Sequence, residues 1–216
     1  MVNARAENVV SGTRLGTMLL LVLLDSQPAR ADLYRDLVHG DDEARSEAAL
    51  VILRDPHAQA AAVVRRALYT VTRIPQAKHL PHVTNIVKDE TLSVSTRAAA
   101  ALALGLIGRN HPKLWPPGAG EPPVHQPLPV FAQNALRSCV EPGNPKTLRR
   151  ACAEALGTAK VPGALELLAP LVADAAEEPI VRLFAGRAVT RLTGVLAVSA
   201  DLVSAVTGMV GDLVAP

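Results

Sequence analysis

Apolar side chains recur along this chain at steps of three and four, and the recurrence is anchored on arginines. The segments ARSEAALVIL (44–53), TRAAAALALG (96–105), LRRACAEALG (148–157) and VRLFAGRAVT (181–190) align on Arg45, Arg97, Arg149 and Arg182, and a weaker copy, VRRALYTVTR, spans 64–73. Three residues after the arginine comes a small side chain (Ala48, Ala100, Cys152, Ala185). Six after it come Val51, Ala103, Ala155 and Ala188, and seven after it Ile52, Leu104, Leu156 and Val189. These offsets share one stripe of a helix, and small residues on such a stripe let a neighbouring helix approach closely. Gly105 and Gly157 fall where each helix is expected to end in a left-handed cap.

A second regularity lies upstream. Asp89, Glu141 and Asp174 each stand eight residues before Arg97, Arg149 and Arg182, and each follows an apolar stretch (82–87, 131–136, 165–172). The predicted unit is helix, acid, short turn, arginine, alanine-rich helix. An acid leaving one helix and an arginine opening the next are expected to bridge the turn, giving the structural pairs Asp89–Arg97, Glu141–Arg149 and Asp174–Arg182. The Arg45 copy keeps an acid, Asp41, at a shorter distance. The same arginines read as function would form a ladder for acidic peptides or phosphates. The matching acids favour the structural reading.

The pattern Leu/Val-Arg-x-Ala-x-Ala-x-Ala-Leu-Gly with an upstream acid resembles HEAT-like repeats of the kind found in phycobilin lyases, and Val161-Pro-Gly-Ala-Leu-Glu-Leu-Leu168 is similar to that family's loop and first helix. The resemblance covers roughly 32–194 and concerns the repeat, not a particular enzyme. It implies an all-α fold, an α-solenoid of stacked antiparallel helical hairpins with about eight or nine helices in a right-handed stack. The spacing is irregular: Arg45, Arg97 and Arg149 are 52 apart, whereas Arg149 and Arg182 are 33 apart. The longer intervals hold an extra helix near 57–73 and a proline-rich insertion at 110–129, whose prolines exclude a helix. Beyond 194 the segment 195–216 is apolar, lacks the repeat arginine, and reads as an incomplete cap.

Composition narrows the function classes. Aromatic residues make up 2% of the chain (Trp115, Tyr34, Tyr69, Phe131, Phe184), and the apolar mass is Ala, Leu and Val, which suits close-packed helices rather than a β-sandwich. With 22 basic and 20 acidic residues the net charge is only +2, which gives no whole-chain field for nucleic acid. Residues 1–31 admit two readings. Gly16–Leu24 is an apolar run too short to span a bilayer, and Ala29-Arg30-Ala31 has the form of a signal-peptidase site. The segment is therefore a cleaved export signal or a capping helix at 9–25.

Candidate chemistry is sparse. His79 and His82 are three apart and could share a helix face as metal ligands, but no third ligand stands at diagnostic spacing. Deoxyhypusine hydroxylase, an enzyme with HEAT-like repeats, holds iron through His-Glu pairs, and none of the six histidines here precedes glutamate. Cys139 and Cys152 flank the turn at 141–147; two small buried thiols is the reading that packing favours, with a disulfide as the alternative in an exported protein. Trp115, in the insertion, is the residue expected to contact a partner or else to cover a helix end.

The expectation is a non-catalytic scaffold that binds another protein, with no cofactor, metal or membrane span. The alternative implied by the resemblance is a bilin-lyase-like accessory that holds a tetrapyrrole. Intact mass with amino-terminal sequencing separates the two readings of residues 1–31. A mature chain starting at Asp32 marks export, and an uncleaved chain marks the cap.

Overall fold

The computed structural model describes residues 31–109 and 128–194. The segment 1–30, the insertion at 110–127 with Trp115, and the tail from 195 lie outside the described residues. Those described are all-α, without strand. The chain divides into two compact units, 1–48 and 49–216.

In the first unit residues 31–39 form helix α1. The Gly40 N–H donates to the Asp36 carbonyl at 3.0 Å. Asp41 then caps α2 (Asp42–Arg54), its carboxylate accepting from the Ala44 N–H at 2.8 Å. An N-cap carboxylate of this kind satisfies one of the orphan donors at a helix start.

The second unit holds α3 (Ala61–Arg73), α4 (Leu80–Lys88), α5 (Val94–Arg109), α6 (Val130–Val140), α7 (Lys146–Thr158), α8 (Ala164–Ala173) and α9 (Pro179–Thr193). Their ends follow local chemistry. Ser93 accepts from the Thr96 N–H to start α5. Pro179 opens α9, where its missing N–H costs nothing, and Gly194 closes it at φ 72°. The pairs α4/α5, α6/α7 and α8/α9 each pack as a hairpin, and α5, α7 and α9 lie side by side, α7 in the middle, with α3 against α5. Leu104, Leu136, Leu148, Leu156 and Leu168 are fully buried between these helices.

The small-residue stripe is buried as its spacing predicts at Ala100, Ala103, Cys152, Ala155, Ala185 and Ala188. Val51 departs from it, being 48% exposed on α2. The two glycines require a correction. Gly105 and Gly157 are not caps; they lie inside α5 and α7, which run on to Arg109 and Thr158. Each lies against the next helix where no side chain fits. A Cβ on Gly105 would stand 2.7 Å from Ala155 Cα, and one on Gly157 would stand 2.5 Å from Ala188 Cβ. The step is the same in both places: the glycine eight residues after the arginine sits on the alanine six residues after the next arginine. Helix α7 instead ends on Lys160 at φ 51°, with Val161 N–H donating to the Leu156 carbonyl and Lys160 N–H to the Gly157 carbonyl. That is the double-bonded left-handed cap that a glycine more often fills.

In an exposed helix interior Gly→Ala stabilises by about 1 kcal/mol. At Gly105 and Gly157 the sign should reverse: either Gly→Ala substitution overpacks the contact and is expected to cost about 1–3 kcal/mol, read as a lower urea midpoint.

Candidate functional site

The three hairpins turn in the same way. Each turn spans five residues, 89–93, 141–145 and 174–178. In each, the N–H of the fourth residue donates to the carbonyl of the first: Leu92 to Asp89, Asn144 to Glu141, Glu177 to Asp174. The arginines do not bridge to these acids. Among the described residues no ion pair joins Asp89 to Arg97, Glu141 to Arg149, or Asp174 to Arg182. Each guanidinium instead reaches back to the helix it follows. Nε of Arg97 donates to the Val87 carbonyl at 3.0 Å, that of Arg149 to Val140 at 2.8 Å, and that of Arg182 to Val172 at 3.2 Å. The last carbonyls of a helix have no partner within it, and a buried carbonyl without one is costly.

The acids organise the turns by another route. Asp89 Oδ1 accepts from the Thr91 N–H at 3.0 Å, and Asp174 Oδ1 accepts from the Ala176 N–H at 2.9 Å. Both are Asx-turns. Glu141 replaces an aspartate here, and its turn closes differently: Gly143 takes φ 97°, and Asn144 Nδ2 donates to the Ser138 carbonyl at 3.0 Å.

Arg149 makes a further link. Its terminal nitrogens grip both carboxylate oxygens of Glu177, the Nη1–Oε1 bond measuring 2.7 Å. The pair is buried, with side-chain exposures of 8% and 7%. The Arg149 guanidinium, by hydrogen bonding, holds the Glu177 carboxyl below the usual carboxylate range despite its burial. Glu177 belongs to the turn of the next hairpin, so this bond ties one hairpin to its neighbour. Sequence spacing selected Glu141 because it is nearer in the chain.

Cys139 and Cys152 also differ from expectation. They form a disulfide between α6 and α7, with Cα atoms 6.1 Å apart. Cys152 is the buried stripe residue that packing predicts, and Cys139 on the partner helix faces it.

Two surfaces are candidates for function. The first is the exposed side of α5, α7 and α9. Arg150 on α7 lies over the Phe184 ring of α9 at 5.5 Å, and Arg187 lies over the same ring at 5.2 Å. Beside them Arg191 of α9 pairs with Glu154 of α7 at 2.7 Å. These contacts put Arg150, Glu154, Phe184, Arg187 and Arg191 on one side of the α7–α9 pair. The repeated glycine-on-alanine step carries that side to α5, where the positions equivalent to Glu154 and Thr158 are Leu102 and Leu106. These leucines are 40% and 39% exposed.

The second candidate is a cleft of about 200 Å³ lined by Leu53, Arg54, Asp55, Pro56, His57, His82, Asn85, Ile86 and Asp89. His57 Nε2 stands 2.7 Å from Asp89 Oδ2, and Thr91 Oγ1 donates to Asp89 Oδ1 at 2.6 Å. The Thr91 hydroxyl and the His57 ring hold the Asp89 carboxyl down at about 2. As a carboxylate it only accepts, so the ring presents its Nε2–H to it. His82 has its proton affinity lowered by burial and by the nearby Arg54 guanidinium. The residues lining the cleft carry no hydroxyl or thiol, and the Thr91 hydroxyl beside it stands 3.5 Å from His57 Nε2. His79 is fully buried in the turn Ala77–His79, whereas His82 borders the cleft. Among the described residues no group of three or more His, Cys, Asp or Glu side chains is placed to hold a metal. None of their helices is long and apolar enough to cross a membrane.

Comparison of the chain with protein-family models, curated proteins and solved structures gives no match.

Arg149→Ala exposes the difference between the two pairings. It strips the Val140 carbonyl and leaves Glu177 buried without its partner, so it should cost about 3–5 kcal/mol in urea unfolding. Glu141→Ala should stay within about 0.5 kcal/mol. Because the Glu177 carboxyl is depressed in the folded state, its contribution is complete above the unfolded glutamate value of about 4.3. It is lost as pH falls through the folded value, so the penalty of Arg149→Ala should shrink in the same acidic window.

Proposed function

We propose that the chain is a short α-solenoid of HEAT-like hairpins acting as a non-catalytic scaffold, and that it binds a protein partner on the exposed side of α5, α7 and α9. The observation that carries the reading is the continuity of that side. Three helices in the same register leave Leu102 and Leu106 exposed and Phe184 half-buried, with arginines against its ring. Stacked hairpins share one core, and the same stacking builds a long, rigid surface as a by-product. Exposed apolar side chains grouped on rigid elements are what a partner's anchors need. At the cleft the Asp89 carboxylate is taken up by the Thr91 N–H, the Thr91 hydroxyl and the His57 ring, which favours a structural role for that pair. The disulfide favours the exported reading, because such bonds persist in oxidising compartments.

The test is photo-cross-linking in the cells that produce the protein. The cross-linking amino acid p-benzoylphenylalanine is placed at position 102 or, as a control on another helix, at position 85. A discrete protein adduct from position 102 and none from position 85 is expected. The absence of a specific adduct at 102 would remove the reading. In parallel, added bilin should leave the visible absorption spectrum of the pure protein unchanged, and a shifted, sharpened band would favour the tetrapyrrole-holding alternative.

A further inference from the structure

We infer that the partner segment seated on the α5–α7–α9 side is an acidic, apolar-anchored polypeptide. The inference rests on the scaffold reading above and adds the chemistry of what it holds. It comes from the charges that the repeat arginines leave uncounted. Arg97 and Arg149 are buried, bonded to the carbonyls of the preceding helices. The cations that do reach solvent stand elsewhere on the same helices. Arg150 and Arg187 flank Phe184 on opposite helices, and Arg191 lies one turn further on. The only carboxylate among them, Glu154, is already paired with Arg191. The side is therefore cationic although the whole chain is nearly neutral.

The contact of two guanidinium groups with one ring has a chemical consequence. Cation–π contact holds each planar group by its face and leaves its N–H edge for an acceptor. Each fork matches a carboxylate, which it can grip in bidentate fashion. Next to this charged end, Leu102 and Leu106 supply an apolar end on α5. A ligand that satisfies both ends carries carboxylates at one end and apolar side chains at the other. A phosphate polymer satisfies the first and leaves the leucines against its backbone. An apolar helix satisfies the second and strands the arginines. A segment that is acidic at one end and apolar at the other meets both requirements, and the three helices, spaced about 8–10 Å apart, give it a track of about 20 Å.

Fluorescence anisotropy of the full chain with three labelled probes tests this. One is a synthetic peptide of about 15 residues with glutamates through one half and leucines through the other. The second replaces each glutamate by lysine, and the third is a single-stranded oligodeoxythymidylate of matching length. The glutamate peptide is expected to bind and the lysine peptide not to bind. Arg187→Glu should weaken binding by about tenfold or more, Arg187→Lys should retain most of it, and affinity should fall as salt rises. Thermal unfolding of both variants should match that of the parent, because Arg187 is exposed. Equal binding of the lysine peptide, indifference to Arg187→Glu, or no binding of any probe would overturn the inference. Oligodeoxythymidylate binding with the same dependence on Arg187 would replace it by a general polyanion site. The scaffold reading fails on different evidence. A discrete adduct at position 102 whose cross-linked segment is not acidic keeps the scaffold and removes its acidic partner.

Discussion

A helix that ends inside a protein turns its last carbonyls toward a place that water reaches poorly, and something must donate to them. In this chain the donor is an arginine from the following helix. The same bond, from Nε to the carbonyl of a valine in the last two residues of the preceding helix, occurs at Val87, Val140 and Val172. It ties the start of each second helix to the end of the helix before it. An ammonium could satisfy the carbonyl, but a guanidinium does so with one nitrogen and keeps a fork for a second task. Arg149 uses its fork on Glu177 and so fastens two hairpins through one side chain.

Stacking then depends on how near the second helices come to one another. A glycine of one helix on an alanine of the next leaves no room for a single methyl group at two successive interfaces. The repeated offset makes the α5–α7 and α7–α9 contacts copies of each other. Sameness of this kind is also what aligns the outward-facing positions, so the surface proposed to bind a partner is set by contacts buried beneath it.

Much of this was legible in the residues, and the failures have physical causes. The all-α class and the buried stripe followed from steps of three and four, because a helix has only one geometry that satisfies them. The glycines were misread because glycine serves both a left-handed cap and a close approach, and only the neighbouring helix distinguishes them. The acids were assigned the wrong partners for a similar reason: an Asx-turn and an ion pair place the carboxylate at the same spacing. Glu177 carries no signal of its own, since its partner lies 28 residues away in another hairpin. The His57–Asp89 contact, across 32 residues, was equally hidden. Arg150, Arg187 and Phe184 carry no signal in the repeat, because their positions hold no one residue type across the copies. The surface residues here are those that do not recur.

The shared step between helices has one further consequence. Arg97 and Arg149 are 52 residues apart, whereas Arg149 and Arg182 are 33 apart, yet both intervals deliver the next helix to the same offset on its neighbour. Packing is thus blind to the length of chain spent between α5 and α6. That junction is a site where evolution, or an engineer, can lengthen, shorten or exchange sequence while the order of the helices is preserved. New recognition elements could be added there one at a time, without renegotiating the core.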